Sequence, residues 1–348
     1  MQLTDIEQTA LLRALALGET VRGITSPNPP VGAVILSAEG KEVGAGATAA
    51  VGGPHAEVAA LAAAGDDARG GTAVVTLEPC AHTGRTGPCT QALLDAGISK
   101  VIYAVGDPNP AASGGAKVLR KAGVTVIAGA HAREAEAGAL RAWLHSMRAA
   151  RPFVTWKYAA TLDGRVAAAD FTARWISSAA SRADAHALRA KVDAIMVGSG
   201  TVLTDDPHLT ARDADGELLE RQPLRVVLDR RHRIPQSAQV LDNAAETLVL
   251  DTAVPRFALK ALFDRGVRHV LLEGGPTLAG SFVEARCVDE VIAYLAPTLL
   301  GEGPSALGHA GIGSLAEAVT LDVHSVTRTG GDIKVVGTPV WGEPAGER

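Results

Sequence analysis

The segment 53–89 constrains the fold of this chain more than any other, because it places potential metal ligands at the ends of successive elements. His55 and Glu57 stand at the start of a short apolar run that is typical of a helix. Cys80 follows a β-rich run, and Cys89 opens the next helical segment. One imidazole and two thiols in this order suit a zinc site with an open coordination position, and the nearby carboxylate suits an acid/base group.

Length and composition indicate a globular protein of two domains. The 348 residues are 47% hydrophobic and 20% charged, which excludes the disordered and fibrous classes. The formal net charge of −5 provides no basic field for a nucleic-acid duplex or an anionic membrane. We therefore expect no nucleic-acid polymer and no membrane among the partners, whereas a small phosphate-bearing substrate needs only a local group of basic side chains.

The cysteines predict a reducing compartment. Cys80, Cys89 and Cys287 form an odd and sparse set for a secreted disulfide framework, but a natural one for reduced thiols that ligate metal. No apolar run approaches the roughly 20 residues of a membrane span, and the first residues lack the features of a signal peptide. We expect a cytoplasmic enzyme, with Cys287 as an ordinary core or surface residue.

Alternating helix and strand patterns divide the chain into two α/β halves, the first with a mixed, mostly parallel sheet. Thr4 and Glu7 have the spacing of a capping box at the start of the first helix. A polar, alanine-rich helix is predicted from 133 to 148, and the boundary between the halves follows near Arg151. The predicted domains are 1–148 and 149–340, and the composition of the tail 341–348 predicts disorder.

The residues of segment 53–89 favour hydrolytic deamination. Zinc lowers the pKa of bound water toward neutrality, and a neighbouring glutamate can carry protons to the leaving amine. Zinc deaminases of nucleobases use a His-x-Glu pair followed by a Pro-Cys motif, as at His55, Glu57 and Cys80. The second thiol departs from that pattern, since eight residues rather than two separate Cys80 from Cys89. Each residue alone has an ordinary structural interpretation; their combination predicts a metal site.

The second half contains one weak nucleotide signal. The turn 273–277 lies between an apolar strand and a helix, and its glycines would let backbone amides approach a phosphate. The three-glycine dinucleotide fingerprint is absent, and such turns are often only tight turns. Asp205 by itself is typical of a turn, and Trp175 of a core residue.

Several motifs resemble the bifunctional deaminase/reductase family of riboflavin biosynthesis. The first half contributes SPNP (26–29), GGPHAEV (52–58), TLEPCAHTGRTGPC (76–89) and DPNP (107–110). The second half contributes PFVT (152–155), LDGR (162–165), VGSGTVL (197–203), LTAR (209–212), QPLR (222–225) and LEGG (272–275). The resemblance implies an α/β fold class with a cytidine-deaminase-like three-layer domain at 1–148, dependent on zinc, and a dihydrofolate-reductase-like α/β domain at 149–340, dependent on NADPH.

The same resemblance implies roles for individual residues. Glu57 would be catalytic, with His55, Cys80 and Cys89 as the zinc ligands. The NADP contacts would be Ala159, Trp175, Thr201, Asp205, Gly275, Pro276, Thr277, Leu278, Ala279, Gly280 and Ser281. The substrate contacts would be Asn28, Arg85, Asn109, Arg189, Leu209, Arg212 and Glu273. Arg189 and Arg212 suit the ribose phosphate, which a planar guanidinium can bind with two hydrogen bonds. Gly87, Ala173 and Arg230 depart from the usual family residues.

The expected function is therefore deamination of a phosphorylated diaminopyrimidinone, followed by NADPH-dependent reduction of its ribose. The proton donor of the reduction stays open between Asp205 and Lys157. One alternative is a deaminase of nucleosides or tRNA with a differently specific second half; another is a zinc site that only stabilises a binding protein. We also expect a homo-oligomer, because such α/β enzymes commonly form symmetric assemblies.

Overall fold

Helices and strands alternate along residues 3–82 and 87–342, which the computed structural model describes. They belong to two units, Met1–Arg151 and Pro152–Arg348. The tail expected at 341–348 falls almost wholly outside the described residues.

The first unit begins with the predicted capping box. The Thr4 side chain accepts from the backbone N–H of Glu7, and the Glu7 side chain accepts from the backbone N–H of Thr4. The elements of this unit are α1 (Asp5–Thr20), β1 (Gly32–Leu36), β2 (Glu42–Ala47), α2 (Ala56–Ala64), β3 (Thr72–Leu77), α3 (Cys89–Asp95), β4 (Lys100–Val105), α4 (Gly115–Lys121), β5 (Thr125–Ala128), α5 (Ala132–Ala137) and α6 (Arg141–Ala149).

The strands of the first unit form a five-stranded sheet in the order β2-β1-β3-β4-β5. β1 is antiparallel to both β2 and β3, whereas β3, β4 and β5 are parallel. The backbones of α1 and α2 approach it so closely that a Cβ at Gly32 would overlap α1, and one at Gly46 would lie 2.7 Å from the backbone nitrogen of Ala60 in α2. Gly46 pairs with Ala33, the neighbour of Gly32, so these two glycines point to opposite faces. The sheet therefore lies between helices, which confirms the three-layer prediction.

Three local predictions for the first unit were incomplete. The helix expected at 133–148 is two helices, because the chain breaks at Gly138, the C-cap of α5. β2 was not predicted, since its glycines disfavour a strand; the close approach of α2 requires them. His55 is the N-cap of α2 rather than a residue of its first turn, and Glu57 occupies that turn.

The second unit contains a larger mixed sheet with helices between its strands. Its elements are β6 (Phe153–Thr161), α7 (Ala179–Arg189), β7 (Ala194–Gly198), α8 (Ser199–Asp205), β8 (Leu224–Leu228), β9 (Thr247–Leu250), α9 (Pro255–Asp264), β10 (His269–Leu272), α10 (Pro276–Glu284), β11 (Glu290–Ala296), β12 (Thr320–Thr329) and β13 (Asp332–Val340). The strand order is β12-β13-β11-β6-β10-β7-β8-β9. The pairs from β11 to β9 are parallel, and the two pairs involving β13 are antiparallel.

This topology brings the loops that follow β10, β7 and β8 to one edge of the sheet. In a parallel sheet the carboxyl ends of neighbouring strands meet, and ligands commonly bind outside them. The sequence did not predict α8, whose start at Ser199 and Gly200 is typical of a turn. It also did not predict β12, a strand whose residues are almost all exposed. Across the described residues, no helix combines the length and the hydropathy that a membrane crossing requires.

Candidate functional site

The first unit brings the three predicted zinc ligands together. The Nδ1 atom of His55 lies 3.1 Å from Sγ of Cys89 and 3.7 Å from Sγ of Cys80. The three ligand atoms all lie within 4.8 Å of one another. His55 caps α2, Cys80 follows β3 and Cys89 begins α3, so three separate elements fix the arrangement. One imidazole nitrogen and two sulfurs form a donor set that zinc prefers, and the residues present therefore fit this metal.

The pKa values of the ionisable groups in this cluster are shifted by burial and by hydrogen bonds among them. Glu57 is 4% exposed, and burial raises the pKa of its carboxyl to about 7. The hydrogen bond between the thiols lowers the pKa of Cys80 to about 4 and raises the pKa of Cys89. The backbone N–H of Cys89 also donates to the Cys80 sulfur at 3.4 Å. A hydrogen bond to Cys80 raises the pKa of His55.

The predicted substrate contacts of the first unit lie in loops. Asn28 is half-buried in a turn, where its backbone N–H donates to the Thr25 carbonyl at 2.9 Å. Asn109 lies in the loop after β4, and its side-chain oxygen accepts from the backbone N–H of Ala111 at 3.1 Å. Arg85 lies outside the described residues.

The second unit pairs two of its predicted substrate residues. The guanidinium of Arg189 binds the Glu273 carboxylate with two hydrogen bonds, of 2.7 Å from Nε and 3.0 Å from Nη2. Lys157 Nζ lies 3.8 Å from the same carboxylate. Burial would raise the pKa of Glu273, but Arg189 and then Lys157 hold it at about 2. Burial lowers the pKa of Lys157. Glu273 is therefore an anion between two cations at the carboxyl end of β10.

The predicted nucleotide turn lies next to this group. Gly275 is the N-cap of α10, and its backbone N–H donates to Thr201 Oγ1 of α8 at 3.3 Å. A Cβ at Gly274 would lie 2.6 Å from the Leu278 side chain, so the turn has room only for glycine unless that side chain moves. Residues 276–281 form the first turns of α10. Backbone amides at such a helix start suit a phosphate, so the turn fits a dinucleotide.

The remaining predicted cofactor contacts lie on β6, on α8 and in the turn before α7. Ala159 is half-buried in β6, and Asp205 is the last residue of α8. Trp175 is 69% exposed, which makes it a surface ring rather than the core residue that its type alone suggests. The Arg182 guanidinium lies 4.3 Å from the centre of that ring. The exposed indole is available to stack on a ligand.

The segment 209–212 contains the last two predicted substrate contacts, and hydrogen bonds hold its neighbourhood. Leu209 is 3% exposed and has a φ of 51°. The side chain of Arg212 donates from Nη1 to the Gly216 carbonyl at 2.7 Å. The fully buried Arg225 donates to the carbonyl of His208 at 3.2 Å. Arg225 therefore holds the residue that immediately precedes this segment.

Sequence interpretation had not singled out His186. Burial and then Arg189 lower its pKa, and Arg212 adds a smaller effect in the same direction. His186 thus lies within electrostatic reach of the predicted substrate arginines. It precedes Arg189 by three residues, and this helical spacing could have identified it.

Comparison with known proteins assigns both units. Residues 5–105 match the cytidine and deoxycytidylate deaminase zinc-binding region, and residues 152–335 match the RibD C-terminal domain. The riboflavin biosynthesis protein RibD of Mycobacterium tuberculosis (strain H37Rv) is 51% identical over 332 residues, which are 95% of this chain and 97% of that protein.

Solved structures agree over the same length. Acinetobacter baumannii RibD has a TM-score of 0.88 and 35% identity, covering 96% of this chain and 99% of that one. The diaminohydroxyphosphoribosylaminopyrimidine deaminase/5-amino-6-(5-phosphoribosylamino)uracil reductase of Thermotoga maritima has a TM-score of 0.89 and 31% identity, with the same coverage. The chain therefore belongs to the RibD family of riboflavin biosynthesis proteins.

Proposed function

We propose that this chain catalyses two successive steps of riboflavin biosynthesis. The first is the zinc-dependent hydrolytic deamination of 2,5-diamino-6-(5-phosphoribosylamino)pyrimidin-4-one. The second is the NADPH-dependent reduction of the ribose of the product to a ribitylamino phosphate. The observation that carries the proposal is the meeting of His55, Cys80 and Cys89 beside the buried Glu57, in a chain that also contains the reductase unit.

For the deaminase, His55, Cys80 and Cys89 would hold the zinc, which supplies Lewis acidity to a water molecule. Water adds to the amino-bearing ring carbon, and the amine leaves as ammonia. Glu57 would transfer protons to the ring nitrogen and to the leaving amine. A carboxyl with a pKa of about 7 both accepts and donates protons near neutral pH, which suits this task.

For the reductase, NADPH supplies a hydride to C1′ of the opened ribose. The turn 275–281 with Thr201, together with Ala159, Trp175 and Asp205, would bind the cofactor. Arg189, Leu209, Arg212 and Glu273 would bind the substrate. The neighbouring Lys157 is a cation within reach of Glu273, and positioning is expected to supply much of the rate.

Further parts of the proposal concern the whole protein. We assign the deaminase to 1–148 and the reductase to 149–340. The three cysteines, all among the described residues, form no disulfide with one another, which supports a cytoplasmic location. The family's second half also argues against a simple nucleoside or tRNA deaminase, because that alternative leaves the reductase unit without a role. We propose a homo-oligomeric assembly and a small phosphorylated pyrimidine as the ligand.

A coupled assay with the pyrimidinone ribosylamine phosphate tests the proposal. Ammonia release and NADPH oxidation are followed separately, before and after removal of zinc by a chelator. We expect chelation to abolish ammonia release, while NADPH oxidation continues when the deaminated substrate is supplied. Readdition of zinc should restore ammonia release. Release of ammonia from cytidine but not from the pyrimidinone phosphate would contradict the substrate assignment.

A further inference from the structure

The loop between β4 and α4, residues 106–114, contacts the two thiols directly. Ala112 is 4% exposed and forms a small buried group with Cys80 and Cys89. Its carbonyl accepts from the backbone N–H of Ala81 at 3.1 Å. This β4–α4 loop also contains Asn109. The loop therefore lines the metal site and contains one of the predicted substrate contacts.

Glu78, which follows β3, accepts hydrogen bonds from the backbone at both ends of the β4–α4 loop. Its Oε2 atom accepts from the backbone N–H of Asp107 at 3.3 Å, where the loop leaves β4. Its Oε1 atom accepts from the backbone N–H of Ala116 at 2.9 Å, where α4 begins. Between these points the backbone passes so close to Pro79 that a Cβ at Gly115 would overlap the Pro79 carbonyl oxygen. One carboxylate thus connects the segment that carries Cys80 to the entire loop.

The interior of the loop forms its own hydrogen bonds. The backbone N–H of Asn109 donates to Oδ1 of Asp107 at 2.8 Å, and the Asn109 side chain binds the backbone of Ala111. Because these hydrogen bonds fix the local shape of the loop, its attachment at Glu78 governs where Asn109 lies relative to the thiols. Both Glu78 oxygens accept backbone hydrogen bonds, and Glu78 is not in the group of potential metal ligands found among the described residues.

We propose that Glu78 is a positioning residue of the deaminase, which holds the β4–α4 loop over the metal site and thereby sets the affinity for the pyrimidine. This inference rests on the proposed deaminase function. Glu78 acts through Asn109 and Ala112 and touches neither the metal nor the reacting atoms. Substitution should therefore weaken substrate binding more than it slows the chemical step.

The test compares Glu78→Gln and Glu78→Ala in the full-length zinc enzyme. Gln keeps the shape of the side chain but only one acceptor oxygen, whereas Ala removes both. We expect the KM for the pyrimidinone phosphate to rise about 10-fold for Gln and more for Ala, because hydrogen bonds to a charged group are lost. The kcat should change by less than about 3-fold, and the zinc content and the reductase activity should equal those of the wild type. Glu136→Gln, the same change at an exposed glutamate of the first unit, is the matched control.

Gly115→Ala tests the loop without altering Glu78. The added Cβ pushes the loop away from Pro79, so it should raise KM in the same way. A merely structural role predicts a different result: loss of zinc or of kcat in proportion to the misfolded fraction, with KM unchanged. That result for Glu78→Gln, or an unaltered KM, would overturn the proposal. Failure of the proposed function is distinguishable, since the wild-type enzyme would then release no ammonia.

Discussion

The two units each bury a glutamate, and the two carboxyls have opposite electrostatic properties. Glu57 of the deaminase unit is 4% exposed, and burial raises its pKa to about 7. The Glu273 side chain of the reductase unit is 9% exposed, yet its pKa is held at about 2. The difference comes from the neighbours, since Arg189 and Lys157 face Glu273, whereas Glu57 lies beside sulfur atoms and an imidazole.

Burial alone therefore does not determine what a carboxyl can do. A carboxyl near neutrality can exchange protons during a reaction. A carboxylate held ionised between two cations cannot, and we expect Glu273 to orient Arg189 and Lys157 instead. We therefore expect Glu57 to act as a proton carrier and Glu273 to act as a charge scaffold, meaning an anion that holds Arg189 and Lys157 in place. This contrast predicts that the same Glu→Gln substitution has different consequences in the two units.

The largest effect is expected for Glu57→Gln. Gln cannot carry protons, so ammonia release should fall about 10²- to 10⁴-fold, the usual contribution of general acid–base catalysis. Zinc content, measured by atomic absorption, should stay at the wild-type value because Glu57 is not among the three ligands. The reductase activity of the same sample is the internal control. If ammonia release were retained, Glu57 would not be the proton carrier, and the contrast drawn between Glu57 and Glu273 would be wrong.

The positions of the expected metal ligands along the fold could be predicted from sequence, because each ligand lies at the end of an element with a clear local pattern. His55, Cys80 and Cys89 stand at the ends of elements whose patterns were clear, and α2, β3 and α3 were confirmed. The role of Glu78 could not be predicted. Its partners in the β4–α4 loop become neighbours only because β3 and β4 pair in the sheet.

The reductase site depended more on topology. Arg189 and Glu273 are separated by 84 residues, and no local pattern predicts that they pair. Their contact follows from the sheet order, in which β10 lies between β6 and β7. The family resemblance supplied these residues, and their roles stay predictions. The fold class, the two activities and the cofactors were confirmed by the family comparison.

The second prediction concerns Glu273→Gln, which should destabilise the reductase unit. It leaves Arg189 and Lys157 without their anion, and breaking a buried ion pair costs about 3 kcal/mol or more. Native-state hydrogen exchange of the amides in β10 measures the loss locally, so the other unit does not obscure it. NADPH oxidation should disappear while ammonia release persists.

A double substitution controls for the loss of charge. Replacing Arg189 by Met together with Glu273 by Leu removes the Arg189–Glu273 pair and leaves only Lys157 without its anion, so it should recover part of the stability without recovering NADPH oxidation. Equal stability of Glu273→Gln and the wild type would show that the pair is not a charge scaffold.

The smallest effect is expected at a carboxylate that is paired but partly exposed. The Asp242 side chain is 36% exposed, and the hydrogen bond from the buried Arg225 lowers its pKa to about 2. Because the folded pKa lies below the ordinary value of 3.8, this pair stabilises the unit above pH 4 and loses its effect as the pH falls toward 2. Solvent screening reduces the contribution to about 1 kcal/mol. Asp242→Asn should therefore lower the hydrogen-exchange free energy of β8 by that amount at pH 7, with the difference from the wild type shrinking below pH 4. If the difference in hydrogen-exchange free energy between Asp242→Asn and the wild type persists unchanged at pH 3, the lost packing and not the charge matters at this position. Exposure would then no longer explain why Asp242 contributes less than Glu273.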